Sequence, residues 1–142
     1  MRILALFVLL ITLSPACLGQ RKVKLKQAET LRGSMQDGVR ADWVIGNVIF
    51  VQNQTTIYCD SAIFNKQKNA VDAYGRIRIT DGDSVTVTAS RLTYDGNKKM
   101  AYLRSSVVFT KLGTATLYTD FLDYYRANNK ARYFNNGKLV DS

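Results

Sequence analysis

Apolar and polar residues alternate along most of this chain, and the alternation itself recurs. Ser84 to Ser90, SVTVTAS, puts Val85, Val87 and Ala89 on one side and Ser84, Thr86, Thr88 and Ser90 on the other. A period of two marks a strand with one buried face. Thr114 to Thr119, TATLYT, does the same with Ala115 and Leu117. Thr, Val, Tyr and Ile dominate these segments, and all suit a pleated surface. Turn residues punctuate them: Asp81–Asp83, Tyr94–Asn97, Asn128–Lys130 and Asn135–Gly137. Beyond residue 19 no segment sustains a helical period, and the single proline is Pro15. Strands without proline can pair without interruption.

The rhythm has a register of about 30 residues. Asp60, Ser90 and Asp120 fall in one column. Ala62, Leu92 and Leu122 follow in the next, then Phe64, Tyr94 and Tyr124, then Val71, Ala101 and Ala131. Upstream, Val48 and Phe50 match Ile77 and Ile79, then Val107 and Phe109. The first of these steps is one residue shorter, because the turn at Gln52–Gln54 is shorter than Asp81–Ser84. Ala28 to Leu31 reads as a partial earlier copy, and Asn135 to Ser142 as the start of a later one. One copy cannot bury its own apolar face, whereas stacked copies make that face continuous. The expected fold is therefore all-β: an open β-jelly roll of stacked ~30-residue repeats. A closed sandwich is the rival, but it requires no such register. Each end of a stack leaves an edge strand, which is a pairing site. Open ends would let copies join head to tail.

The start of the chain differs from the rest. Arg2 is followed by the apolar run Ile3–Leu13, and Cys17 and Gly19 stand at −3 and −1 of a cleavage before Gln20. This predicts an export signal over 1–19 and a mature domain over 20–142. Acylation at Cys17 is the lesser alternative, since Ser14 occupies a position where a lipoprotein carries leucine. Cleavage would remove one basic residue from a formal charge of +9, leaving +8. Such a surplus suits an anionic partner, and export argues against nucleic acid. Cys59 would be the one remaining cysteine, a small buried hydrophobe in an alternating segment.

Catalytic chemistry finds few candidates. The chain has no histidine, so nucleophile–imidazole pairs and zinc sites built on His or paired Cys are absent, and neither an enzyme nor a bound cofactor or metal is expected. Asp81 and Asp83 flank Gly82 in an expected turn, where Asp serves the backbone. Binding remains. The candidate lipid-binding surface is the inward face: Val48, Phe50, Ile57, Ile77, Ile79, Val85, Val87, Leu92, Val107, Phe109, Leu117 and Leu122. The plain alternative is that these form a filled core. About ten methylenes of an acyl chain would contribute roughly 8 kcal/mol before entropy costs. A basic residue at an anionic surface adds only about 1 kcal/mol. The interior would set affinity and the charge would steer. Arg76 and Arg78 alternate with Gly75 and Ile77 and are expected to face outward near a strand start. Lys98, Lys99, Arg104, Arg126, Lys130 and Arg132 are expected near the turns, as a solvated rim more than as phosphate ligands.

Ile45–Phe50 (IGNVIF), Cys59–Asn65 (CDSAIFN) and Ala89–Leu103 (ASRLTYDGNKKMAYL) resemble the OstA-like or LptA family. The likeness runs over residues 27–140. Gly75-Arg76-Ile77 and Ser106-Val107 depart from its Gly-Asn-Val opening, and Ser90 replaces the acid in the middle copy. The resemblance implies a periplasmic protein of lipopolysaccharide transport and outer-membrane biogenesis. It implies partners too: lipid A in a hydrophobic groove, and other jelly-roll transport proteins bridged through edge strands. The competing expectation is a structural β-module that docks end to end with envelope proteins and holds no lipid.

Overall fold

The computed structural model describes residues 22–36 and 38–141. The expected signal segment 1–19, with Cys17, lies outside the described residues. Among these described residues nine strands form one sheet: β1 (Lys24–Gln27), β2 (Thr30–Gln36), β3 (Val39–Gln52), β4 (Thr55–Asn65), β5 (Ala70–Asp81), β6 (Val85–Asp95), β7 (Met100–Lys111), β8 (Ala115–Tyr125) and β9 (Lys130–Asp141). Among the described residues the only helical piece is the 3-10 turn Arg126–Asn128. From β3 to β9 each strand pairs antiparallel with the next, and β1 and β2 share the two halves of β3. Each 30-residue copy is thus two long strands. The expected open jelly roll of stacked repeats is the fold observed.

Every long strand is creased near its middle, and the creases line up. On β3, β5 and β7 two successive residues take left-handed backbone: Gly46-Asn47, Gly75-Arg76 and Ser105-Ser106. The pairing register slips at these points. Such bulges bend and twist a strand. The column of acids at these positions now has a physical role. Asp60 on β4 accepts from Arg76 on β5 at 2.9 Å. Glu29 accepts from the Asn47 side chain at 2.9 Å, and Asp120 accepts from the Ser106 backbone N–H at 3.3 Å. The partial copy at Ala28–Leu31 therefore supplies a crease acid of its own.

Gly75 shows what the crease demands. Its φ is +78°, and an added Cβ would lie 2.5 Å from an Asp60 carboxylate oxygen. Left-handed backbone costs an L-residue roughly 1–2 kcal/mol. Gly75→Ala is expected to lower stability by at least about that much, read from the urea midpoint at unchanged slope. A change below ~0.5 kcal/mol would mean the crease is not strained.

The creases fold the sheet into two facing limbs, and inward side chains run across it in unbroken rows. Leu25, Phe50, Ile57, Ile79, Val87, Phe109, Leu117 and Leu139 are successive cross-strand partners along one limb. Leu31, Val44, Ala62, Ala73, Leu92, Leu103, Leu122 and Tyr133 form the matching row on the other. These rows are the core.

Candidate functional site

The twelve sequence-expected residues all lie on this inward side. Eleven are 7% exposed or less, and Phe109 is partly buried against the same core. The structure also places Val44, Ala62, Phe64, Val71, Ala73, Tyr94, Ala101, Leu103 and Tyr124 there. The limbs touch through edge-on aromatic pairs: Phe50 with Phe64 at 5.2 Å, and Phe109 with Tyr124 at 5.5 Å between ring centres. The trough is therefore packed shut along the middle of the stack, which is how apolar limbs of complementary shape minimise exposed area.

Opposite the crease, the tips of the limbs are laced by a buried polar clasp. Asp81, ending β5 on one limb, accepts from Thr55 at 2.9 Å and from the Tyr124 hydroxyl of the other limb at 2.7 Å. The Arg126 side chain lies 3.6 Å from Asp81 and donates to Gln52 and to the Tyr94 oxygen at 3.0 and 3.1 Å. Tyr94 donates to Gln52, and Gln52 donates to the Gly96 carbonyl at 2.8 Å. Burial, with the Asp81 hydrogen bond second, pushes the Tyr124 hydroxyl well above its ordinary range. Burial raises Tyr94 as well, against the pull of Arg126. Both phenols stay protonated and stay donors.

The structure corrects several expectations. Arg126 is not a solvated rim residue, because its side chain is only 8% exposed and is paired across the limbs. Asp81 serves Thr55 on the neighbouring strand and Tyr124 on the opposite limb rather than its own turn, while Asp83 is exposed as a turn residue should be. Arg104 is also drawn in: it sits mid-strand near the crease and pairs with Asp123 at 3.1 Å. Arg76 and Arg78 do face outward, but Arg76 lies at the mid-strand crease of β5 and Arg78 beyond it, not near the strand's start. Arg78 stacks on Tyr58 and Arg91 on Tyr74, at 4.3 and 5.4 Å.

Cys59 is buried beside the crease, and burial with the neighbouring Asp60 charge pushes its thiol up to about 12. It is expected to resist a maleimide at pH 8 in the folded protein and to react on unfolding. Rapid labelling of the native state would contradict the assignment. Below pH 9 both states hold the proton. Between about 9 and 12 the unfolded thiol ionises while the folded one does not, so stability falls.

Among the described residues, the most exposed inward apolar side chains lie at the ends of the trough. At the β9 end the inward side chains Tyr133 and Leu139 are 50% and 65% exposed. At the other end Leu31 is 52% exposed, beside a cavity of about 580 Å³ lined by Lys22, Val23, Lys24, Leu25, Leu31, Asp42, Phe64 and Lys66. Among the described residues no group of His, Cys, Asp or Glu could hold a metal ion, and no helix is long and apolar enough to cross a membrane.

An open, creased jelly roll with an apolar interior and, among the described residues, inward apolar side chains exposed at both ends defines a class of stacked β-repeat proteins. The pattern of the OstA-like proteins matches residues 20–142, and the chain belongs to that family. Among solved structures it is similar to LptH of Pseudomonas aeruginosa, described as the LptA homologous periplasmic component of the lipopolysaccharide transport device. The TM-score is 0.71 at 13% identity, covering 87% of this chain and 96% of that one. At that identity the likeness concerns the fold. No curated protein sequence matches this one.

Proposed function

We propose that this chain is a periplasmic, non-enzymatic carrier in lipopolysaccharide transport. It is exported by the segment 1–19, shelters lipid A acyl chains against the inward face, and passes them between inner- and outer-membrane components through partner jelly rolls at its edge strands. One observation carries the reading: an inward apolar row that crosses eight strands without a break and is left uncovered at the last of them. Family membership and the LptH-like fold support it. A lipid inside requires the limbs to part, because the interior is packed when they are closed. An aromatic-azide probe at Leu117, inward, should be labelled by lipopolysaccharide in cells, and one at the exposed neighbour Tyr118 should not. Equal labelling, or none at Leu117, would end the proposal.

The packed interior favours a second reading, a lipid-free module that docks end to end through β9 and the β1–β2 edge. It requires head-to-tail assemblies together with an unlabelled Leu117.

A further inference from the structure

Cations stand at both ends of the trough, but the ends differ in depth: the far-end cavity of about 600 Å³, lined by Tyr125, Asn128, Lys130, Ala131, Arg132 and Tyr133, reaches no buried core residue, whereas the first-end cavity reaches Val23 and Phe64. β1 is short, and the stretch from just before it into its start alternates: Val23 and Leu25 pack on the core while Lys22 and Lys24 are exposed. Lys66, just past the end of β4, stands at the same opening. Val23 and Phe64 are themselves core residues, so the cavity floor is continuous with the inward face. The one acid in the lining, Asp42, pairs with Arg40 at 3.3 Å. Its charge is thereby offset, and the three exposed lysines that line the cavity have no other acid in that lining. The volume of about 580 Å³ falls within the range of small-molecule sites, roughly 300–1,000 Å³. Apolar walls below and unmatched cations above are complementary to a molecule with an acyl tail and a phosphate head.

We infer that this mouth is a headgroup site for a phosphorylated acyl lipid. The tail lies on Val23, Leu25, Leu31 and Phe64, and the phosphate on Lys22, Lys24 and Lys66. The inference rests on the carrier reading of the trough and adds to it a place where the charged end of the lipid is held. Charge selects at this end of the stack, and the interior, whose lining is apolar, receives the tail.

The test uses the mature chain and calorimetric titration with dodecyl phosphate below its micelle concentration. Dodecyltrimethylammonium supplies the same tail with opposite charge, and inorganic phosphate supplies the head alone. Wild type should bind dodecyl phosphate at least tenfold more tightly than either control. The triple variant Lys22→Glu, Lys24→Glu, Lys66→Glu should weaken it at least tenfold while keeping the wild-type melting curve, since all three side chains are exposed. The pair Lys130→Glu, Arg132→Glu at the far end should leave binding unchanged. The inference is overturned if wild type fails to bind dodecyl phosphate, or if the cationic amphiphile binds equally well. It is also overturned if the triple variant binds like wild type, or if only the far-end pair matters. Labelling of Leu117 by lipopolysaccharide separates the two claims. Intact labelling with an indifferent triple variant removes the headgroup site and keeps the carrier. Tight dodecyl phosphate binding with no labelling keeps the mouth as a site for a smaller lipid and removes the carrier.

Discussion

Val87→Asp is expected to unfold the protein or to bring it to the edge of unfolding. Val87 is fully buried and stands in the long inward row, between Ile79 on β5 and Phe109 on β7. The substitution removes about 1.5–3 kcal/mol of apolar burial and sets a carboxyl among groups that offer it no hydrogen bond. The carboxyl would hold its proton rather than ionise there. The sum exceeds about 4 kcal/mol, a large part of the 5–15 kcal/mol that holds a domain of this size. Thr88→Asp, one residue on, is the matched control. Thr88 lies on the outer face directly across from Arg78, where an opposite charge changes stability by less than about 1 kcal/mol. Thermal melts of the two variants read the difference. Equal melting temperatures would mean that inward and outward faces have been exchanged. For the carrier reading, a variant that still folds is needed, and Phe109→Asp, at a partly buried position, is the better choice.

The alternation that makes this prediction sharp was legible in the sequence on one limb. Val85, Val87 and Ala89 continue a simple period of two, and the 30-residue columns carry it to Ile57 and Leu117. Across the crease the period breaks in two different ways. On β4, β6 and β8 the inward residues step by three, from Cys59 to Ala62, Ala89 to Leu92 and Thr119 to Leu122. On β3, β5 and β7 they step by four, through the left-handed pairs, from Val44 to Val48, Ala73 to Ile77 and Leu103 to Val107. Column alignment recovers Leu92 and Leu122. It gives no sign that Val44 and Leu103 are inward, because Gly-Asn and Ser-Ser at one crease share geometry but no letters. Asp60 and Asp120 were legible as one column of the repeat, and their target, the neighbouring strand's left-handed pair, was not. The clasp was hidden for another reason. Gln52 and Arg126 are 74 positions apart, and neither breaks a local rule. Only the folding-over of the sheet brings them within reach.

That clasp yields the second large effect. Asp81→Ala leaves the Arg126 guanidinium buried with its carboxylate gone, and strands the Thr55 and Tyr124 hydroxyls as donors. The side chains of Asp81 and Arg126 are 6% and 8% exposed, so water cannot take the carboxylate's place without opening the limbs. Breaking a buried pair from one side costs about 3–5 kcal/mol. Tyr124→Phe removes one hydrogen bond to a charged group and should cost about 1.5–3 kcal/mol. Adding Arg126→Met to Asp81→Ala should restore much of the loss, because an apolar side chain tolerates the site that an orphaned cation does not. Urea midpoints of the three variants test this ordering, and a loss below ~1 kcal/mol for Asp81→Ala would show that the clasp is solvated and slack. A weakened clasp also bears on the carrier reading. The crease holds one side of the limbs covalently, so they part at the tips, where Asp81, Arg126, Gln52 and Tyr94 join them. Under conditions where Tyr124→Phe remains folded, a probe at Leu117 should therefore take label from lipopolysaccharide faster than in the parent protein. An unchanged rate would place the opening at the ends of the stack instead of along its seam.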